Sequence, residues 1–318
     1  MQQPSSSAII KPLLSADKSA PWVVLGAGAI GLLAASRWAM AQQRVSLWLK
    51  DSTPTELAVR FQQQGRDIPL LFTTSRPQLV ERVLITVKAF DVLSALDSLQ
   101  PYLSADAQIV LSHNGMGTLE QVASRLTAEQ GLWFASTTHG AFKPSALHIC
   151  HTGLGRTVMA PCNAAARQST QPIAAWLDSA LGPVQQVDDI QRFLWQKLAI
   201  NAVINPLTAL HDCRNGALAA TEYAAQIQQL IAEFVILTNT LGMDFRHEEL
   251  QDLIAQVIQQ TANNYSSMQQ DVAAKRSTEL AAITGFVLQQ AQQLQLHLPA
   301  HQAVYQALTA TLADWQYR

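Results

Sequence analysis

The chain has 318 residues, enough for two domains, and 48% of them are apolar, enough to bury a sizeable core. With 21 Lys and Arg against 23 Asp and Glu, no basic excess exists to draw nucleic acid or an anionic membrane surface. The three cysteines, Cys150, Cys162 and Cys213, form no C-x-x-C pair and leave one over in any disulfide scheme. Reduced thiols in a cytoplasmic protein are therefore expected. No apolar run reaches transmembrane length, because the best candidate, Leu198 to Leu210, is interrupted by Asn201, Asn205 and Pro206.

Residues 1–20 are Gln-, Ser- and Pro-rich and lack the continuous apolar core of a signal peptide, so they are expected to form a mobile extension outside the fold. The most informative stretch follows: Trp22-Val-Val-Leu-Gly-Ala-Gly-Ala-Ile-Gly31, a short apolar strand that breaks on glycines at G-x-G-x-x-G spacing and becomes an Ala/Leu-rich helix. Gly26 permits the tight strand-to-helix turn, and Gly28 lets a pyrophosphate approach the backbone with no Cβ in the way. Gly31 lets the helix pack close to the sheet. The free N–H groups at the helix start and its positive dipole end suit phosphates.

From residue 21 to 188 strands alternate with helices, the pattern of a parallel sheet covered on both faces. The strand candidates are Trp22–Leu25, Val45–Leu49, Val83–Val87, Gln108–Ser112 and Trp133–Thr137, with helical runs after Gly31, Asp91 and Thr118. Two β-prone arms around Thr152-Gly-Leu-Gly155 predict a hairpin that closes this domain. From 189 to 318 the strand signal disappears, and the Ala-, Leu- and Gln-rich remainder reads as an all-helical domain.

In that second part, Lys197, Asn201 and Asn205 recur every fourth residue within an apolar run, which places them on one helix face. Unpartnered Lys or Asn is costly to bury, so a polar stripe on an otherwise apolar helix suits a cleft wall. Pro206 predicts a kink beside Asn205.

These pieces together resemble the ketopantoate reductase (2-dehydropantoate 2-reductase) family over residues 22 to about 300. The matching segments are Gly26-Ala-Gly-Ala-Ile-Gly31, Val87-Lys88-Ala89, His113-Asn-Gly-Met-Gly117 and Thr137-Thr-His139. They continue with Trp195-x-Lys197-x-x-x-Asn201-x-x-x-Asn205-Pro206, Asn215-Gly216, Ser266-Ser-Met268-x-x-Asp271 and Thr278-Glu279. The resemblance implies an α/β fold, with a Rossmann-type NADP-binding domain at 21–188 and a helical substrate and catalytic domain at 189–318. It implies reduction of 2-dehydropantoate to D-pantoate, on the route to pantothenate and coenzyme A.

Residue by residue, the resemblance makes Lys197 the proton donor to the keto oxygen and Glu279 a catalytic carboxylate facing cofactor and substrate. Asn201, Asn205 and Asn215 match substrate-binding amides, and Ser267 matches a hydroxyl at the substrate's carboxylate end. Asn114 is expected at the nicotinamide end and near substrate, and Lys88 near the cofactor. Gly26, Ala27, Gly28, Ala29, Ile30 and Gly31 form the phosphate turn, and Ala141 corresponds to a backbone contact with the cofactor. Glu279 also reads as a first-turn helix glutamate behind a Ser277 cap.

NADPH is the favoured cofactor, because Lys50 stands at the end of the second strand where the family often has arginine. Asp51 beside it could soften that preference. His148, Cys150, His151 and Cys162 match no common zinc spacing, and no metal is expected. A small-molecule substrate is the expected partner, and both monomer and homodimer stay open. The alternatives are a related reductase of another 2-oxo acid or an imine, and a non-catalytic NADP-sensing protein. Intact Lys197 and Glu279 argue against the second.

Overall fold

The computed structural model describes residues 20–50, 54–74 and 76–316, so most of the N-terminal extension and Asp51 lie outside the described residues. The chain forms two compact units. One holds residues up to His113 together with Thr118–Ile190. The other holds Asn114–Gly117 together with the chain from Gln191 onward.

The first unit opens with β1 (Trp22–Leu25), α1 (Ala29–Met40) and β2 (Val45–Trp48), then a hairpin of β3 (Glu56–Gln63) and β4 (Arg66–Thr73). It continues through β5 (Val80–Ile85), α2 (Val92–Leu99), β6 (Leu103–Leu111), α3 (Leu119–Ala123) and β7 (Gly131–Thr137). Then come β8 (Gly140–Ser145), β9 (His148–Gly153), β10 (Thr157–Pro161), α4 (Ala164–Gln168), α5 (Ile173–Leu181) and β11 (Val184–Gln186). The eleven strands among the described residues join one sheet in the order β11-β10-β7-β6-β5-β1-β2-β4-β3-β9-β8. Its centre, β2-β1-β5-β6-β7, is parallel throughout, the core of a dinucleotide-binding fold.

The β3–β4 hairpin was not among the expected strands, although Leu57, Val59 and Phe61 alternate inward with period two. Its turn uses Gln64 and Gly65, both at positive φ (51° and 76°), the arrangement that matches the twist of a two-residue hairpin.

The hairpin predicted across Thr152–Gly155 does not form. Both arms are strands, but β9 pairs with β3 and β8, whereas β10 pairs with β7 and β11. Only Leu154–Arg156 separate β9 from β10, although the strand order sets them far apart. So short a link makes the sheet curl back on itself. It curls around α1, which touches β2, β8, β9 and α5, and this explains why Leu32, Leu33, Ala34, Ala35, Trp38 and Ala39 are all fully buried. The two corners cross so closely that a Cβ on Gly155 would run into the Thr138–His139 backbone.

His139 fastens this crossing. The Gly155 N–H donates to its Nδ1 at 3.1 Å, so its Nε2 carries the proton and faces the Leu181 and Gly182 carbonyls at 3.1 Å. His151 Nε2 then donates to the same Nδ1 at 3.1 Å, and Gln63 Nε2 donates to His151 Nδ1 at 3.1 Å. Desolvation and the Arg37 charge hold the pKa of His139 below the usual histidine value, in keeping with this neutral chain of bonds.

The second unit is helical: α6 (Gln191–Leu210), a 3₁₀ turn at Asn215–Ala219, α7 (Thr221–Thr240), α8 (His247–Gln260) and α9 (Ser267–Ala273). A π-helical turn at Ala281–Gly285 leads into α10 (Phe286–Gln293), followed by α11 (Pro299–Gln316). α6 packs against α7, α8, α9 and α11, which accounts for its nearly continuous apolar sequence. The helix continues through Pro206 to Leu210. Glu233 of α7 ties down the start of α11, accepting from the N–H groups of Ala300 (2.6 Å) and His301 (3.0 Å) and pairing with His301 Nδ1 at 2.9 Å. No helix among the described residues is long and apolar enough to cross a membrane.

Candidate functional site

In the first unit the glycine turn joins β1 to α1. Gly26 sits at φ 110°, and a Cβ there would stand 2.9 Å from Val87 Cγ1. A Cβ on Gly31 would overlap the Gly26 carbonyl oxygen and the Thr86 hydroxyl, so only glycine allows α1 to start this close to β1 and the β5 end. At Gly28 the nearest protein atom to such a Cβ is Thr86 O at 3.6 Å, which leaves the turn's outer side open to a ligand. No side chain caps α1, and its first turn carries no acidic residue. The N–H groups after Gly28 are thus left to an anion, as the start of a helix prefers.

Thr86, which sequence reasoning passed over, shapes the turn from behind: its hydroxyl lies 3.2 Å from Gly26 O, and its N–H donates to Leu25 O at 2.9 Å. Lys88 is half-buried two residues further on, ahead of a 3₁₀ turn at Ala89–Asp91. Ala141 lies in β8, half-buried against the core that contains α1. Lys50 is exposed two residues beyond β2. A second cation stands at the same strand end, for the Arg76 guanidinium covers the Trp48 ring at 4.9 Å.

In the second unit α6 sets Lys197, Asn201 and Asn205 along one face at successive turns. Lys197 and Asn201 are half-buried, and Asn205 is buried. Desolvation brings the Lys197 ammonium down to about 8, while the neighbouring Glu279 carboxylate pulls in the opposite direction. Glu279 is 8% exposed, and Asn114 Nδ2 donates to its Oε2 at 3.4 Å. The Asn114–Gly117 loop reaches this carboxylate because it seats on the π turn. Met116 N–H donates to Ala282 O at 3.0 Å, and Gly115, at φ 80°, would put a Cβ only 2.6 Å from that same oxygen.

The helix start expected at Ser277 lies later. Glu279 precedes the π turn and its own carbonyl accepts from Ile283 N–H at 3.0 Å, while Thr278 Oγ1 accepts from Leu280 N–H at 3.3 Å. The reason is the preceding loop: Asp271 accepts from Arg276 Nε at 3.1 Å, and Arg276 N–H donates to Asp271 O at 2.8 Å. That closure holds the chain out of a helix until it reaches Thr278.

Asn215 is buried; its Nδ2 donates to Thr261 Oγ1 at 2.8 Å and its N–H donates to Asn264 O at 2.9 Å. Its Oδ1 is buried without a hydrogen-bond partner, an acceptor that a ligand hydroxyl could satisfy. Ser267 is exposed at the first position of α9. The adjoining Ser266 is the structural member of the pair. It caps α9 by accepting from Gln269 N–H at 3.0 Å and is hydrogen-bonded to Thr208 of α6 at 2.7 Å. Cys150, set aside as a metal ligand, donates to Gln62 Oε1 at 3.0 Å.

The glycine turn thus has the shape and open donors of a dinucleotide phosphate site, and the second unit joins a desolvated ammonium to a carboxylate and several amides. That combination can deliver a proton and bind hydroxyl or carbonyl groups. Residues 22–164 match the family described as Ketopantoate reductase PanE/ApbA, and residues 189–312 match its C-terminal part. A 2-dehydropantoate 2-reductase from Vibrio cholerae is 38% identical over 92% of this chain and 98% of its own length. A D-mandelate dehydrogenase solved with NADH and anilino(oxo)acetate shares the fold at a TM-score of 0.82 and 16% identity, covering 92% of this chain and 99% of that one. A PanE/ApbA family ketopantoate reductase from Ralstonia eutropha superimposes at a TM-score of 0.80 with 22% identity, over 93% of this chain and 99% of that one. With both parts matched in order and a relative this similar over nearly its whole length, the chain belongs to the ketopantoate reductase family.

Proposed function

We propose that this protein reduces 2-dehydropantoate to D-pantoate with NADPH. The observation that carries the reading is the α6 face, where Lys197 stands in line with Asn201 and Asn205 and within reach of the Glu279 charge; desolvation there lowers its ammonium to about 8. A general acid works best with a pKa near working pH, and an ordinary lysine is too weak an acid for the task.

The turn Gly26–Gly31 holds the cofactor phosphates on backbone N–H groups, with Ala27, Ala29 and Ile30 supplying the small and apolar wall. Lys50 and Arg76 at the end of β2 favour the extra 2′-phosphate of NADPH. Lys88, Asn114, Ala141 and Glu279 complete the cofactor contacts. A bound nicotinamide supplies a hydride to the substrate's keto carbon. Lys197 gives its proton to the keto oxygen as negative charge develops there, and Glu279 keeps the ammonium protonated until then. Asn201, Asn205 and Asn215 hold the hydroxyl and carbonyl groups, the orphaned Asn215 Oδ1 among them, and Ser267 meets the carboxylate end.

Following NADPH oxidation at 340 nm with ketopantoate, beside NADH and beside smaller 2-oxo acids, tests this. Ketopantoate with NADPH is expected to give by far the highest kcat/KM. Equal turnover of smaller 2-oxo acids would overturn the substrate assignment, and equal use of NADH would overturn the cofactor assignment. In the same assay Lys197→Ala is expected to lose about 10²–10⁴-fold in kcat while binding NADPH normally.

A further inference from the structure

The glycine turn has a side-chain cation beside it that its own sequence does not supply. Lys143 lies in β8, the last strand of the sheet, and its Nζ donates to the Ala27 carbonyl at 2.6 Å, inside the Gly26–Gly31 turn. The bond joins positions 116 residues apart in sequence, so no local motif reveals it.

Two features of β8 aim the side chain there. The pairing of β8 with β9 slips between Phe142 and Ser145, which places Lys143 and Pro144 in the irregular stretch. Such bulges redirect a side chain, and a proline is tolerated at the sheet edge. In addition, Phe142 points outward, 41% exposed, whereas Ala141 packs on the core around α1 and Lys143 is half-buried. Residues 141 and 143 therefore share the face of β8 that looks onto α1 and its N-terminal turn.

A dinucleotide pyrophosphate carries two negative charges. The turn offers it N–H groups and a helix dipole worth about half a unit charge at the α1 start, with no basic residue in the first helical turn. An ammonium can donate to several acceptors at once, so holding Ala27 O is compatible with pairing an anion at the same turn. We propose that Lys143 is a cofactor-binding residue that neutralises the pyrophosphate at the glycine turn. The proposal rests on dinucleotide binding at Gly26–Gly31, and it differs from the part assigned to Lys50. The pyrophosphate is common to NADH and NADPH, so Lys143 serves both cofactors equally.

The test is a fluorescence titration of NADPH and of NADH against the full chain, Lys143→Met and Lys143→Arg, each repeated at several salt concentrations. Methionine keeps the length of the stem and removes the charge. Kd is expected to rise about ten- to a hundredfold for both cofactors in Lys143→Met, with a shallower salt dependence, and to be largely restored in Lys143→Arg. Adenosine 2′-phosphate, which has no pyrophosphate, is expected to compete equally well against the unaltered chain and Lys143→Met. Unchanged cofactor Kd values in Lys143→Met would overturn the proposal. A loss for adenosine 2′-phosphate as large as that for NADPH, with a lowered Tm and no rescue by arginine, would also overturn it, since Lys143 would then only hold the turn in shape. Absence of binding of either cofactor to the unaltered chain would instead overturn the dinucleotide reading on which the proposal stands.

Discussion

Replacing Glu279 with glutamine separates its electrostatic part from its place in the fold. Glutamine keeps the volume and an oxygen for Asn114 Nδ2, which donates to the carboxylate at 3.4 Å, but removes the negative charge. That charge works against the desolvation that has already brought Lys197 down to about 8. A neighbouring opposite charge commonly moves a pKa by about 1–3 pH units. With a loss of about one unit, the share of Lys197 that is protonated at pH 8 falls from about one half to about one tenth. At pH 6 it stays almost complete in both proteins. The sign follows from the role: a general acid acts only while protonated, so activity falls as pH rises through its pKa. The assay is kcat/KM for ketopantoate from pH 5.5 to 9.5. The alkaline limb is expected near pH 8 in the unaltered protein and about one unit lower in Glu279→Gln, with the gap between them narrowing in acid. An alkaline limb that stays in place or moves up would refute the coupling of Glu279 to Lys197, whatever happens to the absolute rate.

Other outcomes follow from the same geometry. Lys50→Ala is expected to weaken NADPH binding several-fold and leave NADH nearly unchanged, while Lys50→Ala combined with Arg76→Ala should erase the preference. Equal losses for both cofactors would count against a 2′-phosphate contact. Asn205→Ala and Asn215→Ala are expected to raise KM for ketopantoate by about tenfold or more, because a buried group loses its partner, with little change in the Kd of NADPH. Equal losses in cofactor binding would show that these asparagines support the fold instead. Glu233→Gln is expected to lower stability by about 2–3 kcal/mol in chemical denaturation, since three bonds to the start of α11 converge on one carboxylate. Although desolvation opposes ionisation there, the bonds from His301 and Ala300 hold the Glu233 pKa below the usual carboxylate value. Its stabilising share is therefore present above about pH 4 and is lost as pH falls further, and Glu233→Gln should flatten that acid limb of the Tm profile.

Much of this protein is legible along the chain wherever the deciding interaction is local. The glycine turn is one case, since each glycine answers a contact within a few residues or with the adjoining strand end. The α6 stripe is another, because helical periodicity alone puts Lys197, Asn201 and Asn205 on one face. The tertiary structure decided what depends on distant partners. Both arms around Thr152–Gly155 have the composition of strands, but their pairing was settled by β3, β8, β7 and β11, which compete for the same backbone donors and acceptors. The helix that follows Glu279 begins late, after a loop that Asp271 and Arg276 close. The Asn114 loop meets it through a π turn that sequence periodicity does not announce. Lys143 looks like any surface lysine in sequence, and only the curl of the sheet around α1 brings its ammonium to Ala27. Local steric and periodic rules fix which segments become helix or strand. Which strands pair, and which charges meet, is set by long-range packing, because backbone hydrogen-bonding groups and buried charges take whatever partner the folded chain brings near.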